Sequence, residues 1–270
     1  MKYHAKLPKD NDNVSNEHPL REFFILLLGA CCALLLVYWL LGKSVDLVVD
    51  HLPDSAQRLI HQQATTYVEN NFTTTTQNDD FEQAASLFKQ LQQCAGLDYP
   101  VTLHWQEQAQ ANAFALPGGH IVLLSGLMDQ LESENGLAFV LAHELAHFQN
   151  RDHLRAMGRG VVMASFGALI GLDNAKVIDF LSPIGQFEGA QYSQQRESQA
   201  DEVALSIVNC HYQHVGGVTE FFHAMAKEGE QANVGFAGYL SSHPQSQVRI
   251  NKLEQLINTH HYRVGSTTSL

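Results

Sequence analysis

The pattern of apolar and polar positions divides the chain into one membrane-length segment and a longer region of mixed character. Residues 23–41 (FFILLLGACCALLLVYWLL) carry no charge, and their number is enough to cross the hydrocarbon core of a bilayer as a helix. Beyond residue 41 the apolar residues recur with the periods of helices and short strands. We therefore expect a polar N-terminal tail over 1–22, a transmembrane anchor over 23–41, a helical juxtamembrane segment and linker over 42–80, and a folded domain over 81–270.

Within the folded domain, the patterns indicate several helices and a few strands. An amphipathic helix is predicted over residues 81–93, a strand near 101–105, and two short strands around a Pro-Gly-Gly turn over 112–124. Residues 136–148 (GLAFVLAHELAHF) have the composition of a buried helix. Residues 160–172 are apolar but too short to span a bilayer, so we expect another buried helix, with a membrane-dipping or gating element as the alternative. The expected fold class is α+β, mainly helical with a small β-sheet.

The helix predicted over residues 136–148 contains the sequence His143-Glu144-Leu145-Ala146-His147. Residues four apart lie on the same face of a helix, so the two imidazoles can bind one metal ion. Glu144 then points towards a water beside that metal, which is the arrangement of a zinc protease. A five-residue pattern of this kind also arises by chance, so a third ligand is needed to make the evidence strong.

Two residues are candidates for the third metal ligand, and they imply different enzymes. Glu197 lies on a predicted second helix and can complete a His, His, Glu zinc site, while Asp201, one turn later, can accept the free N–H of a ligand imidazole. His153 is the alternative, because HELAHFQNRDH also fits HExxHxxGxxH with Asn150 in the place of Gly. Residues 154–157 favour a continued helix, on which His153 would point away from the two motif histidines. We therefore favour Glu197.

Three motifs in this order and spacing make the chain resemble metallopeptidase family 48, a family of gluzincin zinc endopeptidases. The motifs are HELAHFQNRDH from His143, YSQQRESQAD from Tyr192, and Ser242-His243-Pro244 followed by Arg249. The resemblance covers roughly residues 52–257 and implies a gluzincin fold and hydrolysis of peptide bonds. Because the chain has a single apolar span, it is similar to the compact, single-anchor bacterial members rather than to the multi-span ones.

The resemblance also implies a role for each motif residue, with one Zn²⁺ ion per chain as the cofactor. The implied residues are His143, His147 and Glu197 as zinc ligands, Glu144 as general base, Asp201 as the support of a ligand, and His243 and Arg249 as groups that stabilise the tetrahedral intermediate. Without the resemblance, His243 is an ordinary turn residue before a helix, and Arg249 is a surface or salt-bridged residue of that helix.

A protease must also hold a peptide, and the segment before the motif helix offers a surface for one. Asn112, Ala113 and Phe114 begin the first strand of the predicted hairpin. An exposed edge of that strand can bind an extended substrate through backbone hydrogen bonds, whereas the alternative is a hairpin that only supports the motif helix. We expect residues Phe180 to Gly189 to form a loop over the cleft, where the loop can also block the site.

The positive charges around the apolar span predict its orientation. The Lys and Arg residues near it are, on the N-terminal side, Lys2, Lys6, Lys9 and Arg21 and, on the C-terminal side, Lys43 and Arg58. Since the excess of positive charge stays in the cytoplasm, we expect a cytoplasmic N-terminus and a folded domain on the other side. In a bacterium this is a single-pass protein of the inner membrane with a periplasmic catalytic domain.

The cysteines allow two further interpretations of the sequence. Cys31 follows Leu-Gly-Ala, as at a bacterial lipoprotein processing site, but the apolar run continues well beyond it. We therefore favour an uncleaved anchor, with processing at Cys31 as the alternative. Cys94 and Cys210 lie outside the span and either pair in an oxidising compartment or remain buried thiols.

The net charge of the chain limits the classes of binding partner that we expect. The net charge of −12 and the lack of a basic stripe argue against nucleic acid. The resemblance implies unfolded or damaged envelope proteins as substrates, so we expect a membrane-anchored zinc endopeptidase of protein quality control. The alternative is a catalytically latent, zinc-binding chaperone or adaptor, although such a binding module would not need Glu144.

Overall fold

A computed structural model describes residues 19–53, 78–116, 118–169, 193–229 and 247–270, together with the single positions Ala56, Leu59, Ile60, Gln62, Thr65, Val68, Tyr239 and His243. The predictions for residues 1–18, for most of the linker and for the loop Phe180 to Gly189 lie outside the described residues. By its internal contacts the chain divides into two units, Met1–Ser44 and Val45–Leu270.

The elements follow one another along the chain as helices that flank a single small sheet. They are α1 (Pro19–Asp50), α2 (Asp79–Ala95), β1 (Thr102–Gln106), β2 (Ala113–Leu116), β3 (His120–Leu124), α3 (Ser125–Met128), α4 (Glu134–Gln149), α5 (Asp152–Leu169), α6 (Gln194–Tyr212), α7 (Glu220–Gly229) and α8 (Gln247–Thr259). The mainly helical α+β fold class expected from the sequence is confirmed.

Helix α1 contains the apolar span and is longer than the anchor expected over residues 23–41. It begins at Pro19 and continues to Asp50, so the last residues of the expected tail and the first of the juxtamembrane segment are helical too. By length and composition α1 is able to cross a membrane, and its most apolar window is not buried against protein. Exposed apolar side chains along a whole helix are what a lipid environment stabilises.

The sheet has the order β1-β3-β2 and combines two kinds of pairing. β2 runs antiparallel to β3, as expected for the predicted hairpin, and Phe114 pairs with Val122. β1 runs parallel to β3, with Thr102 beside His120. The fully buried β3 is therefore the central strand, and β2 is an edge strand that packs against α4.

Helix α4 lies in the centre of the domain and is buried along almost its whole length. It packs against α6, α2 and β2, so its sequence is apolar on every face rather than along one stripe. Ser133 caps its N-terminus by accepting a hydrogen bond from the N–H of Gly136. Residues near the C-terminus of the chain return to this point, where the N–H of Glu134 donates to the carbonyl of Thr268 at 2.9 Å.

Helices α2 and α6 are joined covalently near their C-terminal ends. Cys94 and Cys210 form a disulfide, with their Cα atoms 5.9 Å apart. The sequence left open whether these cysteines pair or remain thiols, and in the structure they are paired. Because α6 carries Glu197 and Asp201, the bridge links the helix with the candidate acidic ligand directly to α2.

Candidate metal centre

The two motif histidines lie one turn apart on α4 and point to the same place. His143 and His147 are both fully buried, and their Nε2 atoms are 3.1 Å apart. Two neutral imidazoles bring lone pairs this close together at little cost only if a cation or a shared proton lies between them. The spacing expected from the HExxH pattern is therefore realised in the fold.

Glu197 is brought to the same point from the first turn of α6. Its Oε2 lies 3.4 Å from His143 Nε2, and its Oε1 lies 3.5 Å from His147 Nε2. Ser193 begins α6 as the N-cap by accepting from the N–H of Arg196. That cap fixes the first turn of α6 and therefore the position of Glu197 relative to the two histidines.

His243 completes a group of four buried side chains. Its Nδ1 lies 3.1 Å from Glu197 Oε1 and 3.4 Å from His143 Nε2, and its ring stacks on Tyr239 with the centroids 4.4 Å apart. One ligand atom from each of His143, His147, Glu197 and His243 lies within 4.8 Å of the others. His243 therefore joins the cluster that the sequence placed it near, although 46 residues separate it from Glu197.

Asp201 and Arg249 support this cluster from the side of α6 and α8. Asp201 Oδ1 lies 3.0 Å from His143 Nδ1, and since an ionised carboxylate only accepts, the proton belongs on Nδ1 and the lone pair on Nε2. Arg249 donates to Asp201 through Nε at 2.8 Å and Nη2 at 2.7 Å, and its Nη1 lies 2.7 Å from Glu197 Oε2. Every nitrogen of this buried guanidinium thus faces Asp201 or Glu197, which favours positioning these acids over contact with an intermediate.

His147 is supported by a different carboxylate, which sequence reasoning missed. Asp152 Oδ2 lies 3.0 Å from His147 Nδ1, and both side chains are fully buried. Arg196 donates to the other oxygen of Asp152. Asp152 was visible only as an acid five residues after the second motif histidine, and its position depends on how the chain turns after α4.

The same turn determines the position of His153, the alternative third ligand. α4 ends at Gln149, Arg151 adopts a left-handed conformation with φ 55°, and α5 begins at Asp152. The helix therefore does not continue straight, as residues 154–157 had suggested. His153 nevertheless packs its ring against Phe148, with the centroids 4.7 Å apart, and it is not a member of the four-residue cluster.

Glu144, which follows the first motif histidine, has unusual surroundings for a carboxylate. It is fully buried, and neither of its carboxylate oxygens has a hydrogen-bond partner among the described residues. His243 Nε2 approaches one of them at 3.6 Å. A buried carboxylate without hydrogen bonds is costly in a closed core, so this oxygen pair fits a water and a cation better than it fits protein alone. The residues present therefore fit a bound metal ion.

The electrostatics of the cluster reflect its several acids. In the metal-free site, although burial opposes the charged form, the contacts of His143 with Asp201 and Glu197 raise the pKa of His143 to about 10, so a bound cation takes the place of the second ring proton. Burial lowers the pKa of His147 despite the neighbouring Asp152. Burial alone would raise the pKa of Glu197, but the nearby His243 and His143 hold it well below its ordinary range. The cluster is thus arranged to keep its carboxylates ionised, as cation ligands must be.

The predicted substrate-binding residues lie at the start of the edge strand. Ala113 and Phe114 belong to β2, and Asn112 directly precedes it. The carbonyl of Asn112 accepts from the N–H of Leu124, and Phe114 is the one residue of β2 that is partly exposed. The loop expected over the cleft, Phe180 to Gly189, lies outside the described residues.

Comparison with known proteins gives one family and several distant relatives. The model of peptidase family M48 matches residues 79–257. The chain is 31% identical over 157 residues to the mitochondrial metalloendopeptidase OMA1 of Schizosaccharomyces pombe, an alignment that covers 57% of this chain and 45% of that protein. It is 27% identical over 158 residues to metalloprotease LoiP of Escherichia coli, which covers 56% of this chain and 60% of LoiP.

A third relative matches a shorter region. The beta-barrel assembly-enhancing protease of Yersinia pestis is 32% identical over 111 residues, which covers 37% of this chain and 23% of that protein. The alignments thus span less than two thirds of each of these three relatives. The family match, by contrast, includes the two motif histidines, Glu197 and His243.

Proposed function

The chain belongs to peptidase family M48, and from that premise we propose that it is a membrane-anchored, zinc-dependent endopeptidase. The observation that carries the proposal is the buried cluster of His143, His147, Glu197 and His243 beside a carboxylate without hydrogen bonds. A site of this kind is expensive to bury unless a metal ion compensates it. The names of the relatives, which are metalloproteases or metalloendopeptidases, support the same activity.

We assign the metal ligands as His143, His147 and Glu197, with one zinc ion per chain. Nitrogen from two imidazoles and oxygen from one carboxylate is a ligand set that zinc uses in catalytic sites, where one position stays open for water or substrate. A Zn²⁺ ion held there supplies a Lewis acid that makes water reactive at neutral pH and stabilises developing negative charge. His243 is the remaining member of the cluster, and we assign it to the substrate rather than to the metal.

Glu144 is the general base in this proposal. Its carboxylate has no competing hydrogen bond among the described residues, so it is available to take a proton from the attacking water. The same carboxylate then passes the proton to the leaving amine. Burial keeps other water away from this oxygen pair, so the proton returns to the substrate rather than to solvent.

His243 brings a ring nitrogen close to the base. Its Nε2 lies 3.6 Å from Glu144 Oε1, and stacking on Tyr239 holds the plane of the ring. The imidazole of His243 thus borders the space in front of the base, where the oxyanion of the tetrahedral intermediate develops. Arg249 acts one step further away, because it binds the carboxylates of Glu197 and Asp201.

The edge strand β2 provides the surface for the peptide. It packs against the helix with the motif histidines, and an extended substrate that pairs with it gains affinity from backbone hydrogen bonds with little sequence preference. Asn112, Ala113 and Phe114 would make these contacts. Such a binding mode suits unfolded proteins, whose backbone is accessible, better than folded ones.

We further propose that the catalytic domain faces an oxidising compartment outside the cytoplasm. The Cys94–Cys210 disulfide supports this, because structural disulfides persist in such compartments. The basic residues before α1 support the same orientation. Unfolded or damaged proteins of the bacterial envelope are then the substrate class. Alkaline phosphatase fused to the C-terminus should be active in cells; an inactive fusion at normal expression levels would reject this topology.

The central test of the proposed activity compares the full-length wild type with Glu144→Gln in detergent. Zinc content should be the same in both, whereas casein cleavage by Glu144→Gln should fall by about 10²- to 10⁴-fold because the base is lost. Glu82→Gln, at an exposed position of α2, is the matched control and should cleave like the wild type. Equal cleavage by wild type and Glu144→Gln would refute the assignment of the base, and zinc binding without cleavage by either would favour a latent, binding-only protein.

A further inference from the structure

We propose that Asp46 and Arg196 are positioning residues of the metal site, which they reach through Asp152. Asp46 lies near the C-terminal end of α1, and Arg196 in the first turn of α6. Together they connect the end of the apolar helix to one of the two motif histidines. This inference rests on the proposed metal site, since it assigns what holds His147 in place.

The first link joins His147 to Asp152. The separation of His147 Nδ1 and Asp152 Oδ2 is 3.0 Å, and neither side chain is exposed to solvent. Because a carboxylate only accepts, this contact keeps the proton on Nδ1 and directs the Nε2 lone pair into the cluster. Rotation of Asp152 would therefore rotate the ligand nitrogen of His147 as well.

The second link joins Asp152 to Arg196. The carboxylate of Asp152 is fully buried, and a buried charge is costly unless it is paired. Arg196 supplies the opposite charge: its Nη1 donates to Asp152 Oδ1, while its Nη2 donates to Asp46 Oδ1 at 2.9 Å. The planar guanidinium thus spans two acids, and its orientation is fixed only when both are in place.

Asp46 lies within a cluster of further ion pairs at the end of α1. Arg159 Nη2 lies 2.8 Å from Asp46 Oδ1, and Arg155 binds Asp50, one turn further along α1. Arg151 donates to the carbonyl of Val49 at 3.0 Å. Three arginines that follow the motif helix in sequence thus hold the last turns of α1. The C-terminal end of a helix dipole is negative, so positively charged side chains are favoured there.

Close packing confirms that these turns of α1 are seated against α5. A Cβ atom on Gly158 would lie only 2.6 Å from Val45 Cγ1, so the absence of a side chain at Gly158 lets the two helices approach. Leu154 packs into the same small apolar cluster with Val45 and Val49. The end of α1 is therefore a fixed support for Arg196, rather than a free linker.

The same ion-pair cluster contains residues that separate positioning from general stabilisation. Arg159 binds the same oxygen of Asp46 as Arg196 does, but the described contacts of Arg159 do not include Asp152. Asp50 pairs with Arg155 in the same part of α1. If the cluster only stabilises the fold, variants at Arg159 and Asp50 should behave like those at Arg196 and Asp46.

The experiment measures the zinc affinity of full-length protein in detergent by competition with a chromophoric chelator. Arg196→Gln should weaken zinc binding by about tenfold, and Asp46→Asn, one contact further from the ligand, by about threefold. Arg159→Gln and Asp50→Asn, the matched controls, should stay within about twofold of the wild type. At saturating zinc, Arg196→Gln should also lower kcat for casein more than it raises KM, because the ligand geometry is altered and the peptide surface is not.

Equal zinc affinities for Arg196→Gln and Arg159→Gln would overturn the inference. If metal-free Arg196→Gln does not unfold cooperatively, Arg196→Lys decides instead. Lys keeps the charge but cannot span two acids, so weaker zinc binding than the wild type supports positioning and unchanged binding contradicts it. A wild type that binds no zinc would overturn the proposed function and this inference with it, whereas a zinc-binding wild type with unaffected variants overturns this inference alone.

Discussion

The two motif histidines are held by two acid–arginine pairs that are built alike but sit in different surroundings. On one side, Asp201 faces His143 and is bound by Arg249, whose side chain is 1% exposed. On the other side, Asp152 faces His147 and is bound by Arg196, whose side chain is 17% exposed. The first pair is closed within the core, whereas the second continues to the end of α1.

This difference separates two tasks that the same chemistry can perform. Arg249 also lies 2.7 Å from Glu197, so the inner pair holds a ligand as well as a supporting acid and cannot move without disturbing both. Arg196 instead shares its guanidinium with Asp46, which lies in a segment outside the core. The inner pair therefore holds two acids within the core, whereas the outer pair joins Asp152 to Asp46.

The largest expected effect is on the inner pair. Arg249→Gln removes the cation from two buried carboxylates, and the free energy of unfolding of the metal-free protein should fall by about 3–5 kcal/mol. Arg196→Gln should cost less, because Arg196 is 17% exposed and Asp46, one of its two acids, is 26% exposed. Chemical denaturation of both variants measures this. Equal losses for the two arginines would break the comparison.

A smaller effect is expected on metal affinity when the supporting acids themselves are changed. Asp201→Asn and Asp152→Asn should each weaken zinc binding by about 10- to 100-fold, because the amide lacks the charge of the carboxylate and turns its NH2 donor towards either the ligand imidazole or the arginine. Competition with a chelator gives the affinities, and Asp98→Asn, a change of an exposed aspartate outside the cluster, serves as the control. If only one of the two variants loses affinity, only that acid orients its histidine.

The smallest effect concerns acid stability. Although burial opposes ionisation, hydrogen bonds from Arg249 and the contact with His143 lower the pKa of Asp201 below its ordinary value of 3.8. A group with a lowered pKa stabilises the folded state above its ordinary value and loses that contribution as the pH falls through the folded value. The metal-free wild type should thus lose stability more steeply below pH 3.8 than Asp201→Asn does, as thermal unfolding at several pH values would measure. Parallel pH profiles would show that Asp201 is not held in this way.

The parts of the site that could be predicted from sequence are those that depend on local spacing. His143 and His147 share a helix face at any position in a fold, and Glu197 and Asp201 repeat that logic on α6. Asp152 could not be placed, because its contact with His147 depends on the left-handed conformation of Arg151 between two helices. The contact of Arg196 with Asp152 could not be predicted for the same reason, although Arg196 directly precedes Glu197 in the sequence.

Contacts between residues far apart in the sequence, in the sheet and around Arg249, could not be predicted from local patterns. The hairpin of β2 and β3 followed from a local turn signal, but the parallel pairing of β1 with β3 has no such signal. The sequence placed Arg249 near the cleft through a family resemblance. Its contacts with Asp201 and Glu197 across about fifty residues favour a positioning role, which periodicity and spacing alone do not reveal.

The most direct test of the metal site is a crystal structure of the zinc-loaded protein with anomalous data collected at the zinc edge. We predict one strong anomalous peak per chain, bound by Nε2 of His143, Nε2 of His147 and the carboxylate of Glu197. The Nδ1 atoms of the two histidines should still face Asp201 and Asp152. A peak coordinated by His153 in place of Glu197, or no peak between the two motif histidines, would contradict the account.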